Sequence, residues 1–438
     1  MRDRFFELAE RLGRELGAGE TLLCALDAER SDFVRFNHGR VRQAGSVEQR
    51  FLSVRLVRDR RQAEATVAIA GNGEDLELAR ATVARLREEL ARLPEDPWLL
   101  IAEDPVPTDS VRRGRIAAAG ELVEQVVGGA AGRDLVGFLA SGTIVRGFAN
   151  SFGQRNWHEV DGFNLEWSLF LPDGKAVKSG YAGSDWEPAT FQAKLEAAAG
   201  DLALLAAPPR SLEPGEYRAY LGPRALDELM GLLGWGGFSA RARAAKQSPL
   251  LRMQHGARLS PKVTLIENTA AGVAPRFQHD GFVKPPSVTL IASGGLGDAL
   301  VSPRSAKEHG LATNAANARE GPESLEMAAG GLTQGEALAA LDTGLAIGNL
   351  WYLNFSDRPA GRITGMTRFA TFWVEGGRAV APVAPMRFDD TIYRMLGDNL
   401  VDLTRERELL LDPSTYGERS TDSARLPGAL LGALKLTL

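Results

Sequence analysis

Apolar side chains in the first half of the chain recur every three or four residues in two segments, which predicts two amphipathic helices. The positions that share the apolar faces are Phe5, Ala9, Leu12 and Leu16 in the first segment and Leu76, Ala79, Val83, Leu86, Leu90 and Leu93 in the second, which Pro94 ends. The second stripe is typical of a face laid on a sheet, which we favour, or of a dimer seam. Further helices are predicted over residues 116–127 and 190–206.

Between these helices the apolar period changes to two, which predicts antiparallel strands with one buried face. Leu52, Val54 and Leu56 alternate with polar residues, and the arginine-rich residues 58–61 then close a hairpin with a solvated tip. Strand-like runs and turn signals follow the same pattern at residues 34–36, 135–140, 143–150 and 163–171, with turns at Asn37-His38-Gly39 and Asp173-Gly174. Residues 1–207 are therefore predicted to form an α+β domain of helices on an antiparallel sheet.

A break in the pattern occurs at residues 208–215, which read Pro-Pro-Arg-Ser-Leu-Glu-Pro-Gly. This composition cannot continue a helix, so it predicts a domain boundary. After a short helix near residues 224–233, the rest of the chain consists of short alternating runs separated by Gly, Pro and Asp. The clearest runs are residues 263–266, 288–292, 347–355, 370–375 and 379–382, with a hairpin turn at Glu375-Gly376-Gly377. Residues 216–438 are predicted to form a strongly curved antiparallel sheet or a β-barrel.

Composition narrows the class of protein. The 438 residues are 44% hydrophobic and 24% charged, with a net charge of −5 and no long block of one sign. This balance is typical of a soluble globular protein and argues against direct nucleic-acid binding. Cys24 is the single cysteine, which excludes an internal disulfide, and its apolar surroundings predict a buried strand residue. Because no run approaches the ~20 apolar residues of a bilayer span and no signal peptide is recognisable, we expect a cytoplasmic protein that does not bind membranes.

The search for catalytic chemistry gives little. No histidine has another within five residues, so no helix face carries the paired imidazoles of a zinc peptidase; the five are His38, His158, His255, His279 and His309. His158-Glu159 and His279-Asp280 are adjacent pairs, and adjacent strand residues point to opposite faces. We interpret both histidines as surface or hydrogen-bonding residues. The glycine-rich residues 292–297 lack the Gly-Lys-Ser/Thr ending of a phosphate loop and predict a turn or flexible rim.

Four segments carry a resemblance to a known family. They are residues 35–41 (Arg-Phe-Asn-His-Gly-Arg-Val), 277–281 (Phe-Gln-His-Asp-Gly), 361–368 (Gly-Arg-Ile-Thr-Gly-Met-Thr-Arg) and 372–380 (Phe-Trp-Val-Glu-Gly-Gly-Arg-Ala-Val). With the long helix after the first strands, this layout resembles the TldD/PmbA family over nearly the whole chain. PmbA is also called TldE.

The resemblance implies a mechanism and a departure from it. The TldD branch is a zinc peptidase in which a helical His-Glu-x-x-x-His motif and a cysteine near the C-terminus hold the metal, whereas the TldE branch lacks these ligands and pairs with TldD. Alignment with the motif places Glu228 and Leu233 at the two histidines and Leu229 at the glutamate, and residues 423–428 contain no cysteine. The resemblance therefore implies no catalytic residue, metal ligand or cofactor in this chain, with zinc in a TldD-like partner.

Three further polar residues of the resembling segments could line a cavity shared with the partner, namely Asp227, His279 and Asp280. For Asp227 and Glu228, we favour the interpretation that they form an ordinary acidic helix start. The leading hypothesis is a non-catalytic, metal-free subunit that forms a heterodimer with a TldD-like zinc peptidase and helps to degrade or process unfolded peptides. A metal-independent hydrolase using Asp227, Glu228 or the His279-Asp280 pair is one alternative, and a homodimeric peptide-binding module is another. The family is also linked to modulation of DNA gyrase and to maturation of peptide antibiotics.

Overall fold

The computed structural model describes residues 1–437, apart from the side chain of Phe369. The fold is α+β, with 23% helix and 42% strand, an N-terminal antiparallel sheet and a C-terminal closed barrel of five strands with further strands attached. The predicted fold class is therefore confirmed. Of the two architectures predicted for the C-terminal half, a curved sheet or a barrel, the structure shows the barrel.

The N-terminal sheet has seven strands in the order β3-β2-β1-β5-β6-β4, with β7 also paired to β6. All neighbours are antiparallel except β4 and β6. The elements of this half are α1 (Arg2–Gly13), β1 (Thr21–Asn37), β2 (Arg40–Arg58), β3 (Arg61–Ala68), α2 (Asp75–Leu90), β4 (Thr108–Arg112), α3 (Ala119–Gly129), β5 (Asp134–Asn150), β6 (Arg155–Phe170), β7 (Ala176–Gly183) and α4 (Pro188–Leu205).

The predicted hairpins are present. His38 and Gly39 join β1 to β2, and Asp59 and Arg60 join β2 to β3, all four with φ between 51° and 66°. Two consecutive residues with positive φ form the tight turn whose twist matches that of antiparallel strands. The tip residue Arg60 is exposed and pairs with Glu95 through a 2.5 Å contact, in agreement with the predicted solvated tip.

Helix α2 lies on the sheet of its own chain. Its buried apolar residues share one hydrophobic cluster with Leu52, Val54 and Leu56 of β2. The stripe is thus a sheet-facing surface and not a dimer seam. Both helices end earlier than predicted: Leu16 lies beyond α1, which Gly13 ends, and Leu93 lies beyond α2 because a residue before proline disfavours the helical conformation.

Two other boundaries differ from the prediction. Helix α3 begins at Ala119 and not at residue 116. The runs 135–140 and 143–150 form the single strand β5, because Ser141 and Gly142 remain paired with both neighbouring strands. At Gly142, where φ is 139°, a Cβ atom would lie 2.1 Å from the Arg30 carbonyl oxygen, so glycine allows the strand to continue.

The C-terminal half is built around the barrel. Strands β8, β13, β14, β16 and β18 pair in that cyclic order, and β18 returns to β8 to close it. The elements are β8 (Gly215–Leu221), α5 (Pro223–Gly234), α6 (Ala240–Ala244), α7 (Leu251–Gln254), β9 (Leu265–Glu267), β10 (Val288–Ala292), β11 (Gly295–Leu296), α8 (Pro303–His309), β12 (Ser324–Met327), α9 (Ala337–Leu341), β13 (Gly344–Asp357), β14 (Arg362–Glu375), β15 (Arg378–Pro382), β16 (Arg387–Thr391), β17 (Leu400–Leu411) and β18 (Ser423–Leu436).

Further strands extend the barrel without opening it. Strand β18 also pairs with β17 and, in parallel, with β12, from which β9, β10 and β11 continue the sheet. The predicted turns are present: Gly376 and Gly377 have φ of 54° and 73°, and the 292–297 run turns at Ser293 and Gly294 between β10 and β11. The described strands before and after residues 208–215 form separate sheets, while the division into domains 1–207 and 216–438 stays a prediction.

Within residues 1–437, no helix combines the length and apolar character that a membrane crossing requires.

Candidate functional site

Helix α5 follows barrel strand β8 and has one face in the barrel core. Gly222 precedes it and Pro223 occupies its first turn, where the missing N–H has no helical partner to lose. Its buried residues belong to the large barrel cluster and include Leu226, Leu229 and Leu233. A second face, spaced at i, i+3, i+4 and i+7, lines a cleft outside the barrel and consists of Asp227, Met230, Gly231 and Gly234.

The three positions aligned with the zinc motif do not share that cleft face. Leu229 and Leu233 are fully buried in the core, and Glu228 is exposed at the helix surface. Neighbouring groups still desolvate the Glu228 carboxylate enough to raise its pKa, and Lys178 opposes that rise. Of the sequence-predicted site residues, only Asp227 lines the cleft.

The cleft has a volume of about 440 Å³, within the range of small-ligand sites. Its apolar walls come from α5 and from residues on both sides of the β17–β18 connection. Asp412 and Asp422 at the two ends of that connection add two more carboxylates to Asp227. The remaining lining residues are Trp235, Gly236, Arg319, Gly321, Pro322, Leu325, Leu410, Leu411, Pro413, Ser423 and Ala424.

Two carboxylates of the cleft have perturbed acidity. Burial, with the nearby charge of Glu228 as the next cause, raises the pKa of Asp227 to about 6. Its side chain makes no hydrogen bond or ion pair with any residue in the described range 1–437. Burial, followed by the charge of Glu323, also raises the pKa of Asp422 to about 6, and its ion-pair partner is the exposed Arg319 at 3.7 Å. The cleft therefore favours a cationic group above pH 6.

The β17–β18 connection, residues 412–422, which we call the 412–422 loop, crosses from the barrel onto the N-terminal sheet. Arg419 is 5% exposed and donates from Nη2 to the Gly162 carbonyl at 2.8 Å and from Nη1 to Ser31 Oγ at 3.3 Å. Gln49 Nε2 donates to the Gly417 carbonyl at 2.6 Å. These contacts fix the loop as a wall between the cleft and the sheet.

Two further recesses adjoin the cleft around this loop. The first, which we call the loop recess, has a volume of about 150 Å³ and is lined by Phe138, Ala140, Asn164, Glu166, Leu411, Asp412, Pro413, Ser414, Thr415, Arg419 and Ser420. The second, the sheet recess, has about 420 Å³ and includes Arg35, Arg42 and Lys178. The cleft and loop recess share residues 411–413, and the two recesses share Phe138, Glu166, Pro413 and Thr415. The cleft at α5 carries three carboxylates, whereas the sheet recess carries three cationic side chains.

The histidine pairs lie elsewhere. His279 is exposed, and Arg55 Nη2 binds Asp280 Oδ1 at 2.6 Å while also donating to the His279 carbonyl, so this segment is tied to β2. Neither residue lines the cleft, the loop recess or the sheet recess. His158 is buried rather than on the surface, with Nε2 2.9 Å from the Val273 carbonyl, and burial lowers its pKa to about 4.

The donor chemistry near α5 differs from the two histidines and the cysteine that the resemblance implies for the TldD branch. The cleft offers carboxylates but neither imidazole nor thiolate. Cys24 is buried in β1, and burial raises its thiol pKa to about 12. Over the described range, residues 1–437, no three His, Cys, Asp or Glu side chains are grouped so that they could hold a metal ion.

Sequence reasoning missed Asn164, Arg419 and the 412–422 loop. Asn164 lies within β6, where a single polar residue in a strand carries no distinguishing signal. Arg419 lies in a segment whose Pro413 and Gly417 indicate only a turn. The assembly of these residues depends on long-range pairing, which no local pattern reports.

Solved structures with the same fold cover almost the whole chain. TldE from Thermococcus kodakarensis has a TM-score of 0.79 at 15% identity, covering 99% of this chain and 100% of that one. A candidate modulator of DNA gyrase from Bacteroides thetaiotaomicron has a TM-score of 0.78 at 15% identity, with 99% and 98% covered. Another from Thermotoga maritima has 0.75 at 15%, with 99% of each chain covered.

Sequence comparison extends the result beyond fold. A comparison with curated protein sequences gives no significant match. Residues 214–437, half of the chain, match the sequence model of the PmbA/TldA metallopeptidase C-terminal domain. This match covers the barrel, helix α5 and the 412–422 loop, which together form the cleft. The chain belongs to the TldD/PmbA family of metallopeptidase-related proteins.

Proposed function

We propose that this chain is the metal-free, TldE-like subunit of a two-subunit peptidase, in which a TldD-like partner carries the zinc and cleaves unfolded peptides. The observation that carries the proposal is the composition of α5. Its cleft face consists of Asp227, Met230, Gly231 and Gly234, and the motif-aligned Leu229 and Leu233 are core residues. Zinc that activates water in such a site needs imidazole, carboxylate or thiolate donors and an open position, which leucine cannot supply.

The role of the chain in this proposal is to bind peptide and to complete the cavity. An apolar cleft with a few charged groups suits an extended chain whose side chains vary. Neither zinc nor a catalytic residue is assigned to this subunit. The cytoplasmic location and the absence of a nucleic-acid partner stay predictions.

The test compares the chain alone, a TldD-like partner alone and the two together, measuring cleavage of an unfolded peptide and zinc content. We expect cleavage to require the partner, and to be lost when the glutamate of the partner's His-Glu-x-x-x-His motif is replaced by glutamine. Replacing Glu228 or His279 of this chain with alanine should leave the activity of the assembly nearly unchanged. Native mass spectrometry should show one copy of each chain.

Other results would overturn the proposal. Cleavage by the isolated chain that Glu228→Ala or His279→Ala abolishes would favour a metal-independent hydrolase. A stable homodimer that ignores the partner would favour a separate binding module. Stoichiometric zinc in the isolated chain would contradict the metal-free assignment directly.

A further inference from the structure

The side-chain amide of Asn164 on β6 has unused hydrogen-bonding capacity. Asn164 is 8% exposed, and no donor among the described residues reaches its Oδ1 atom. Its Nδ2 atom makes one long hydrogen bond of 3.3 Å to the Leu411 carbonyl. Buried polar atoms are nearly always hydrogen-bonded, and a buried acceptor without a partner costs about 1–3 kcal/mol. A donor that reached this acceptor would therefore stabilise the complex it forms.

The charged groups around Asn164 have partners. Glu166 accepts two hydrogen bonds from Arg224, at 2.9 and 3.0 Å. Asp412 accepts from the Ser414 N–H at 2.9 Å. Arg419 is held by the contacts described above. Among the described residues that line the loop recess, Asn164 is therefore the one with a buried side-chain atom that lacks a partner.

The position of the loop recess limits the shape that a ligand can have. It lies between the cleft and the sheet recess and shares residues with both, so a ligand that fills all three must be long and narrow. Its volume of about 150 Å³ suits a stretch of extended chain but not a helix, whose diameter is about 10–12 Å. The hydrogen bonds of Arg419 hold the 412–422 loop in place before a ligand enters, which lowers the conformational entropy lost on binding.

We propose that Asn164 hydrogen-bonds the main chain of an extended peptide that passes through the cleft, the loop recess and the sheet recess. When Nδ2 releases its long bond to Leu411, the carboxamide can turn toward the recess. Oδ1 then accepts the N–H of one peptide unit, and Nδ2 donates to the carbonyl of the same residue. A carboxamide matches these two main-chain groups whatever the side chain, so the contact accepts many sequences. This inference rests on the proposed function, because that function supplies an unfolded peptide as the ligand.

The experiment measures binding of a fluorescently labelled, unstructured peptide of alanine, serine and lysine to the full chain by fluorescence anisotropy. Asn164→Ala should raise Kd about tenfold, the equivalent of ~1.4 kcal/mol. The matched control is Asn399→Ala, since Asn399 also has a buried amide nitrogen without a partner but lines none of the three spaces. The control should bind as tightly as the original chain.

A second arm changes the ligand, and its first comparison uses only the original chain, so that comparison does not depend on how well a variant folds. The same peptide, N-methylated at alternate residues, lacks half of its N–H donors and should bind the original chain more weakly. For Asn164→Ala the two peptides should bind alike, because the variant has already lost the acceptor for the N–H that methylation removes. Removing the donor and the acceptor of one hydrogen bond does not weaken binding additively.

The outcomes separate this inference from the proposed function. Equal Kd for the original chain and Asn164→Ala, additive effects of the two changes, or no peptide binding by the original chain would each overturn the role of Asn164. Either of the first two results together with partner-dependent cleavage would leave the proposed function standing, whereas a lack of peptide binding would also remove the peptide-binding role from it. If the chain binds peptide through Asn164 but never supports a zinc-bearing partner, the proposed function fails and the peptide site remains.

Discussion

Histidines placed at the two motif-aligned positions of α5 should not create a zinc site in this chain. Residue 228 is exposed and residue 233 is fully buried in the barrel core. On a helix, positions five residues apart are separated by about 140° around the axis. Both imidazole rings can therefore reach one metal only if the helix surface that lies between the two positions faces the metal. Here the cleft flank is the one carrying Asp227 and Gly231.

The two single substitutions, Leu233→His and Glu228→His, should change the free energy of unfolding by different amounts. Leu233→His removes a fully buried leucine, worth about 1.5–3 kcal/mol, and buries an imidazole without a partner, at about 1–3 kcal/mol. We expect a loss of about 3–5 kcal/mol in the free energy of unfolding. Glu228→His changes an exposed position and should stay within about 0.5 kcal/mol.

Urea unfolding of the full chain, followed by circular dichroism, measures both single variants, and competition with a coloured chelator measures zinc binding by the double variant E228H/L233H. The double variant should bind zinc no better than the original chain. If Leu233→His is as stable as Glu228→His and the double variant holds stoichiometric zinc that raises its Tm, residue 233 faces the cleft and the assignment of the α5 faces is wrong.

Three more variants test the charges of the molecule. The pKa of His158 is lowered from 6.5 to about 4, so its contribution to stability is complete above pH 6.5 and is lost as the pH falls through 4. Urea unfolding should show that the free energy of unfolding falls by about 3 kcal/mol over this pH window. The variant His158→Gln should not show this fall. Asp227 has the opposite sign, since its raised pKa favours folding at low pH and this contribution is lost as pH rises from about 4 to 6; Asp227→Asn should raise the free energy of unfolding at pH 7.5 by about 2 kcal/mol, and a decrease would contradict the assignment. Arg419→Met should speed proteolysis of the 412–422 loop about tenfold or more, because each ~1.4 kcal/mol of lost anchoring raises the population of the open loop tenfold. The control Arg40→Met, at an exposed position, should leave the rate of proteolysis of this loop unchanged.

Local patterns predicted the elements that are half-buried and regular. The alternation of β2 and the stripe of α2 both report burial on one face, and the structure packs these faces together. The turns were predicted for the same kind of reason, since Gly39 and Gly377 need only a positive φ that glycine adopts readily. Helix ends were less predictable because Leu16 and Leu93 continue the apolar spacing after the hydrogen-bonded helix has stopped.

The closing of the barrel could not be predicted from local patterns. Strand β18 contains Pro427 and Gly428 and does not alternate, yet it pairs with β8, β12, β16 and β17. Such pairing is decided by which apolar surfaces remain to be covered once the other strands are in place. The sequence could therefore indicate a curved sheet or barrel but not which strands close it.

Placing individual residues in the site is harder still. A shift of one residue in an alignment turns a helical position by about 100°, which moves it from the barrel core to the cleft. The motif alignment selected Glu228, Leu229 and Leu233, whereas the cleft face starts one residue earlier, at Asp227. No periodicity corrects such a shift, because both faces of α5 carry apolar residues.

The cleft does not depend on metal ligands for its shape. Its walls are α5, which the barrel core holds through Leu226, and the 412–422 loop, which Arg419 holds on the N-terminal sheet. On the cleft face of α5, Asp227 and Gly231 belong to neither anchor, although Met230 also packs in the barrel core. Changes at positions 227 and 231 can therefore alter the chemistry of the cleft while both anchors keep its shape.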